Sequence, residues 1–405
     1  MKKFMTLALC MAAVASMSAQ KENVDAAKKL SGNFDKIQEA RDLIQKAIAD
    51  PSTANDAYTY YIGGKLEFDA YDKGKTMGAI KPDDPSANRE KMAEELLKGY
   101  DLYLKALPLD SVPNEKGQVK PKYAKNIIGT IAGHAGDFFQ GGAAMWEAKR
   151  YYPEAYNCFL IYAQMPDAAF LGNKAPEIPE VDRAQAFFNA GIAAYSGNAV
   201  KDAADAFRNA RLHGSEDPNT YIYELASWQA IAQRDSSMND EAQKRILDVA
   251  QAGYDKFGIE QPIFLNNLVN TYVLDGDYDK AISTVNNLLS SNPDNSNLLG
   301  LLGFIYDRQD KDDESVDYYR KAAALENCDF ETLKNASKKM YRVGATKYNE
   351  LNPNDTAGKQ AVRDAYFEPA LATAKRAKAI NGDDSDVDYV IENIEYAIQT
   401  YYPAN

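Results

Sequence analysis

Two stretches of this chain repeat one another at a spacing of 34 residues. Leu265, Leu268, Tyr272, Ala281, Val285, Leu288 and Pro293 are followed, at that distance, by Leu299, Leu302, Tyr306, Ser315, Tyr319, Ala322 and Asn327. Apolar places stay apolar, the small place stays small, and the aromatic place is kept. A repeat of that length is a helix pair, and neither helix buries its apolar stripe alone. Only stacking against neighbouring pairs builds a core, so the chain is constrained to an array. Looser copies surround the clear ones. Phe187, Ala190, Gly191, Ala203, Phe207 and Ala210 form one unit; Phe139, Trp146, Ala155, Phe159 and Tyr162 form another, closed by Pro166. Tyr221 and Trp228 open a unit whose second helix is displaced by an insertion. Ala40, Ile44 and Ala47 read as a second helix, and Tyr60, Gly63 and Gly64 as the next first helix. Leu333, Ala336 and Met340 begin a last unit whose second helix is delayed to about 367–380, with 386–401 as a closing helix. Alternating runs bounded by turn dipeptides, the mark of strands, are absent.

The register resembles the tetratricopeptide repeat, whose pattern runs W-x2-L-G-x2-Y, then A-x3-F, then P. Leu302-Gly303-Phe304-Ile305-Tyr306 carries the L-G-x2-Y piece intact. The preceding unit has Leu268-Val269 in place of L-G, and the second unit lacks its terminal proline. The resemblance implies an all-α, right-handed superhelical solenoid of antiparallel helix pairs. It divides into a leader at 1–19, degenerate helical repeats at 20–135, repeats with insertions at 136–258, and clear repeats with a capping helix at 259–402.

The leader is read from its own chemistry. Lys2 and Lys3 precede an apolar run from Phe4 to Val14, and a small-residue exit ends at Ala19. Those are the parts of a secretory signal peptide, too short for a permanent membrane span. Leu9 stands before Cys10 where a lipoprotein signal wants a small residue. The chain is therefore expected to be exported, periplasmic or associated with the cell envelope, with no integral membrane segment once the leader is removed. Export means an oxidising compartment, which directs attention to Cys158 and Cys328. Their pairing needs Cα atoms within about 7 Å, which stacked repeats far apart in sequence do not provide. Both are expected to stay free.

Charge and rare residues exclude several functions. The formal net charge is −13, with 59 acidic against 46 basic side chains. General nucleic-acid binding needs the opposite excess. Two histidines, His134 and His213, and three cysteines leave little from which to build zinc or nucleophile sites. Gly74-Lys75-Thr76 resembles the end of a phosphate-binding loop, but position 69 is Asp69 where the first glycine belongs, and a turn after a helix is expected there. The acids from Asp307 to Asp313 place Lys311 at the fifth and Asp312 at the sixth position of a calcium loop, where an oxygen ligand and a glycine are needed. A solvated turn between two helices is expected instead. No G-x-S-x-G motif occurs. No cofactor and no catalytic activity are expected.

What remains is the surface that stacking creates. Family resemblance implies that first helices line a groove for a peptide or partner protein. Asn266 and Asn270 are four apart on one first helix and so share a face. Lys334, Lys338 and Arg342 repeat the same step on a later one and form a basic ridge. Some family members grip a peptide's terminal carboxylate with Lys, Asn and Arg; the residue types here are similar, while slots and order differ. Reversing Lys334 and Lys338 to glutamate is expected to weaken partner capture without lowering thermal stability. The expected function is an exported interaction scaffold. The alternative is a helical-repeat protein that binds nutrients or glycans beside an outer-membrane transporter. Of the 27 tyrosines, Tyr272, Tyr306 and Tyr319 fall on packing slots, whereas Tyr58, Tyr61, Tyr151 and Tyr152 are left unassigned.

Overall fold

The computed structural model describes residues 21–113 and 116–402; the leader at 1–19 lies outside them. Among the described residues there is no strand. The helices follow in chain order: α1 (21–30), α2 (Ile37–Ala49), α3 (Ala57–Ile80), α4 (Arg89–Asp110), α5 (Ala124–Gly133), α6 (Ala135–Glu147) and α7 (Tyr152–Gln164). Then come α8 (Glu180–Ser196), α9 (Val200–Leu212), α10 (Pro218–Arg234), α11 (Asn239–Phe257), α12 (Pro262–Leu274) and α13 (Tyr278–Leu289). The last are α14 (Ser296–Arg308), α15 (Asp312–Ala324), α16 (Phe330–Glu350), α17 (Thr356–Val362), α18 (Glu368–Ile380) and α19 (Ser385–Tyr401). The chain packs as two compact units divided between Ala242 and Gln243, inside α11, where the repeat pattern alone reads as one array.

Several of the pairs are joined by one recurrent contact. A glycine on the first helix lies beneath an aromatic ring on the second, so the axes approach closely. A Cβ at Gly191 would stand 2.6 Å from the Phe207 ring, one at Gly142 2.8 Å from Phe159, and one at Gly303 2.8 Å from Tyr319. The long pair α3–α4 uses the contact in both directions, Gly64 beneath Tyr103 and Gly99 beneath Phe68. The rings that fill these places are buried: Phe207 and Tyr319 are at most 3% exposed. Each such ring removes its apolar surface from water, worth about 1.5–3 kcal/mol.

Helix starts follow from local chemistry. Asp56, Asn88, Asp217, Asn295, Asp329 and Asp384 each accept a hydrogen bond from a backbone N–H in the first turn of the helix they precede. Such caps satisfy donors that the helix itself leaves open. The delayed second helix of the last unit is α18, reached through α17 and a π-helical turn, Arg363–Phe367. The delay leaves room for Phe367, fully buried, beside Tyr341.

Two sequence expectations change here. Gly74-Lys75-Thr76 lies inside α3, not in a turn after it. Gly74 is needed there because the Ser86 carbonyl and the Met92 side chain press on the helix; a Cβ would sit 2.4 Å from that oxygen. The acids from Asp307 to Asp313 do form a turn, with Asp310 left-handed at φ 56, but it is more than solvated. Asp307 and Asp312 each accept a hydrogen bond at 2.5 Å from the buried Lys339 ammonium, and Asp313 pairs with Lys347 at 3.0 Å. A buried ammonium needs such partners, since an unpaired charge is costly to desolvate.

Candidate partner-binding face

In the second unit, α12, α14 and α16 are the first helices of consecutive pairs, and each touches the next. The 34-residue spacing sets Asn266, Gly300 and Lys334 at one place on these helices, and Asn270, Phe304 and Lys338 at the next place one turn on. The five residues picked from sequence thus lie on the two outer helices of one three-helix face. The middle helix contributes no polar group at those places. Gly300 lets Thr332 of α16 approach, a Cβ there standing 2.8 Å from it, and Phe304 packs into the core with Arg308 over its ring.

The asparagines and the basic residues differ in what they already hold. The Lys334 ammonium donates to Glu331 at 3.0 Å and to Asp384 at 3.3 Å, and lies over the Phe330 ring. Burial opposes its charge, yet the hydrogen bonds and charges of Glu331 and Asp384 outweigh that and hold its pKa above the ordinary lysine value. Lys338 pairs with Asp386 at 3.0 Å, and Arg342 pairs with Asp307. Asp384 is the cap of α19, so the two lysines fasten the closing helix. The ridge is therefore engaged by the chain's own acids.

Asn266 is different. Its side-chain carbonyl oxygen is buried and accepts no hydrogen bond among the described residues. Such an oxygen costs about 1–3 kcal/mol if left unsatisfied. Asn270 stands one turn further on and is exposed. Along the same stripe, Ile263 is 37% and Leu274 58% exposed. The stripe therefore offers amides between two apolar side chains. Leu274 continues the four-residue step of Asn266 and Asn270 and so was legible in the sequence, whereas Ile263 lies three residues before Asn266 and off that step.

The histidines sit elsewhere. His134 contacts the Thr130 carbonyl through Nδ1 at 2.8 Å and Asp72 through Nε2 at 3.1 Å, beside the Phe68 ring. His213 meets Glu180 at 2.5 Å and stacks on Phe187. Among the described residues no group of three His, Cys, Asp or Glu is placed to hold a metal ion. No described helix is long and apolar enough to cross a membrane.

Residues 267–329 match the tetratricopeptide repeat family, from within α12 through the end of α15. No curated protein sequence matches the chain. Among solved structures, the chain is similar to a tetratricopeptide repeat protein from Bacteroides fragilis, at 15% identity, 65% of this chain, 99% of that one and a TM-score of 0.30. It is also similar to one from Parabacteroides merdae, at 11% identity, 65% and 99% coverage and a TM-score of 0.36. Stacked repeats of this kind present extended surfaces on which protein partners dock.

Proposed function

We propose that this chain, whose residues 267–329 match the tetratricopeptide repeat family, is an exported interaction scaffold that holds a peptide or partner protein on the first-helix face of α12. The observation that carries the reading is the exposed stripe of α12, the Asn270 amide between exposed Ile263 and Leu274, with the Asn266 side chain one turn before it. An extended peptide hydrogen-bonds the exposed Asn270 amide through its backbone, and its apolar side chains cover the flanking residues. Lys334 and Lys338 lie at corresponding places two repeats on, but they hold α19 first. The leader-type sequence supports an envelope location. No catalytic group enters this reading.

The test is partner capture by the immobilised protein, with chemical crosslinking in envelope extracts. Asn266→Ala with Asn270→Ala should reduce capture several-fold without lowering the melting temperature, a lost amide contact being worth about 0.5–1.5 kcal/mol. Undiminished capture by that variant would remove the α12 face from the account.

A further inference from the structure

The first unit carries a second surface, on second helices. A groove of about 610 Å³ lies between α4 and α7, with Leu97, Tyr100, Leu160 and Ile161 among its lining and the carboxylates of Asp101 and Glu154 at its edge. A further hollow of about 390 Å³ shares Tyr100 and Ile161 and continues the groove to His213 at the end of α9. The groove therefore crosses the second helices of three successive pairs.

Its charges are unbalanced. Lys98 is paired with Glu94 at 3.1 Å. Arg183, buried at the far end, donates to Glu180 at 3.0 Å, to the Ala163 carbonyl and to Asp167. Asp101 and Glu154 have no cation within ion-pair distance among the described residues. Loss of water around the Asp101 carboxyl raises its pKa, and Lys105, one turn along α4, only partly offsets that. Two carboxylates without an ion-pair partner among the described residues thus stand beside the apolar lining, in a chain of net charge −13.

We propose that this groove docks a basic amphipathic segment of a partner protein, with an apolar side chain on the Tyr100–Ile161 floor and lysine or arginine on Asp101 and Glu154. A helix laid in a groove between two helices uses this arrangement of apolar anchors and flanking charges. The surface is separate from the α12 face, so neither proposal depends on the other.

The test uses the full chain and a fluorescein-labelled peptide made of repeated Lys-Leu-Leu-Lys, read by fluorescence anisotropy. The expected result is saturable binding that weakens with salt, and a loss of about tenfold in Asp101→Asn with Glu154→Gln, the size expected for two part-screened ion pairs. Asp279→Asn with Glu314→Gln removes the same charge from exposed places in the other unit and should leave the affinity unchanged. Equal weakening by both variants means general attraction to an acidic protein and overturns the proposal. So does equal binding of a Glu-Leu-Leu-Glu peptide, or absence of binding. Self-association of the chain that the groove variant alone abolishes would assign the groove to a second copy and also overturn it.

Discussion

At the scale of single residues, the fold depends on places where a side chain is forbidden and on places where a charge is required. Gly303 belongs to the first kind. Gly303→Ala drives a methyl into the Tyr319 ring, and overpacking of this sort costs about 1–3 kcal/mol. Chemical denaturation should show that loss, while Gly129→Ala, where a Cβ meets nothing, should show none of it. Arg41 belongs to the second kind. From α2 it reaches Glu67 on α3 at 2.5 Å and Glu95 on α4 at 2.9 Å, tying three helices. Burial raises the Glu95 pKa, and Arg41 only partly counters it. Arg41→Ala leaves two buried carboxylates and should cost about 3–5 kcal/mol, measured as a lower denaturation midpoint. Much of the glycine pattern was legible, because glycine and an aromatic ring recur at matched offsets in Gly191–Phe207 and Gly303–Tyr319. The Arg41 triad was not, since its members are scattered over three helices and nothing local relates them. The same holds for Lys339, whose burial against Asp307 and Asp312 depends on how α16 lies on the preceding turn.

At the scale of elements, the closing helix α19 shows how charges picked for one purpose serve another. The four-residue step of Lys334 and Lys338 reads from sequence as a ridge offered to a partner. The step is real, but periodicity cannot show what faces it, and Asp384 and Asp386 do. Lys334→Glu with Lys338→Glu should therefore lower stability, because like charges replace two ion pairs at the start of α19. A calorimetric trace should show an earlier transition. Acid should act on the same junction. The backbone hydrogen bond from Val387, with help from Lys334, holds the Asp384 pKa below its ordinary value. A lowered carboxyl pKa contributes stability that is fully present above the ordinary aspartate value, near ~4, and is lost as pH falls through the lowered one. The melting-temperature gap between the wild-type protein and Asp384→Ala should therefore shrink as pH falls below the ordinary aspartate range. A gap that stays constant with pH would show that the cap acts without its charge. Helix positions themselves were largely legible. The delayed second helix of the last unit and the closing helix both fall where the apolar register places them, because packing slots recur even when loops lengthen. The π-helical turn before α18 was not, as it answers to the burial of Phe367.

At the scale of the whole molecule, the repeat decides class and leaves partner choice to the surface. Cys158 and Cys328 belong to different units and are both buried and free. Burial pushes the Cys328 thiol up to about 11 and raises Cys158 as well. Neither should react with a thiol reagent until the protein unfolds, and mass analysis of unreduced peptides should show no bridge. The tyrosines divide in the same way. Tyr272 and Tyr319 are core, while Tyr61 stacks on Tyr123 at 4.6 Å in a half-buried cluster that no repeat position announces. The central claim concerns the first-helix face, and it is tested most directly by placing a photoreactive benzoylphenylalanine at position 270, with a control at Ser283 on the second helix α13. After irradiation in an envelope extract, position 270 should yield a discrete crosslinked partner peptide that position 283 does not. Identical crosslinking from both positions, or none from 270 while 283 captures a partner, would contradict a binding face on α12.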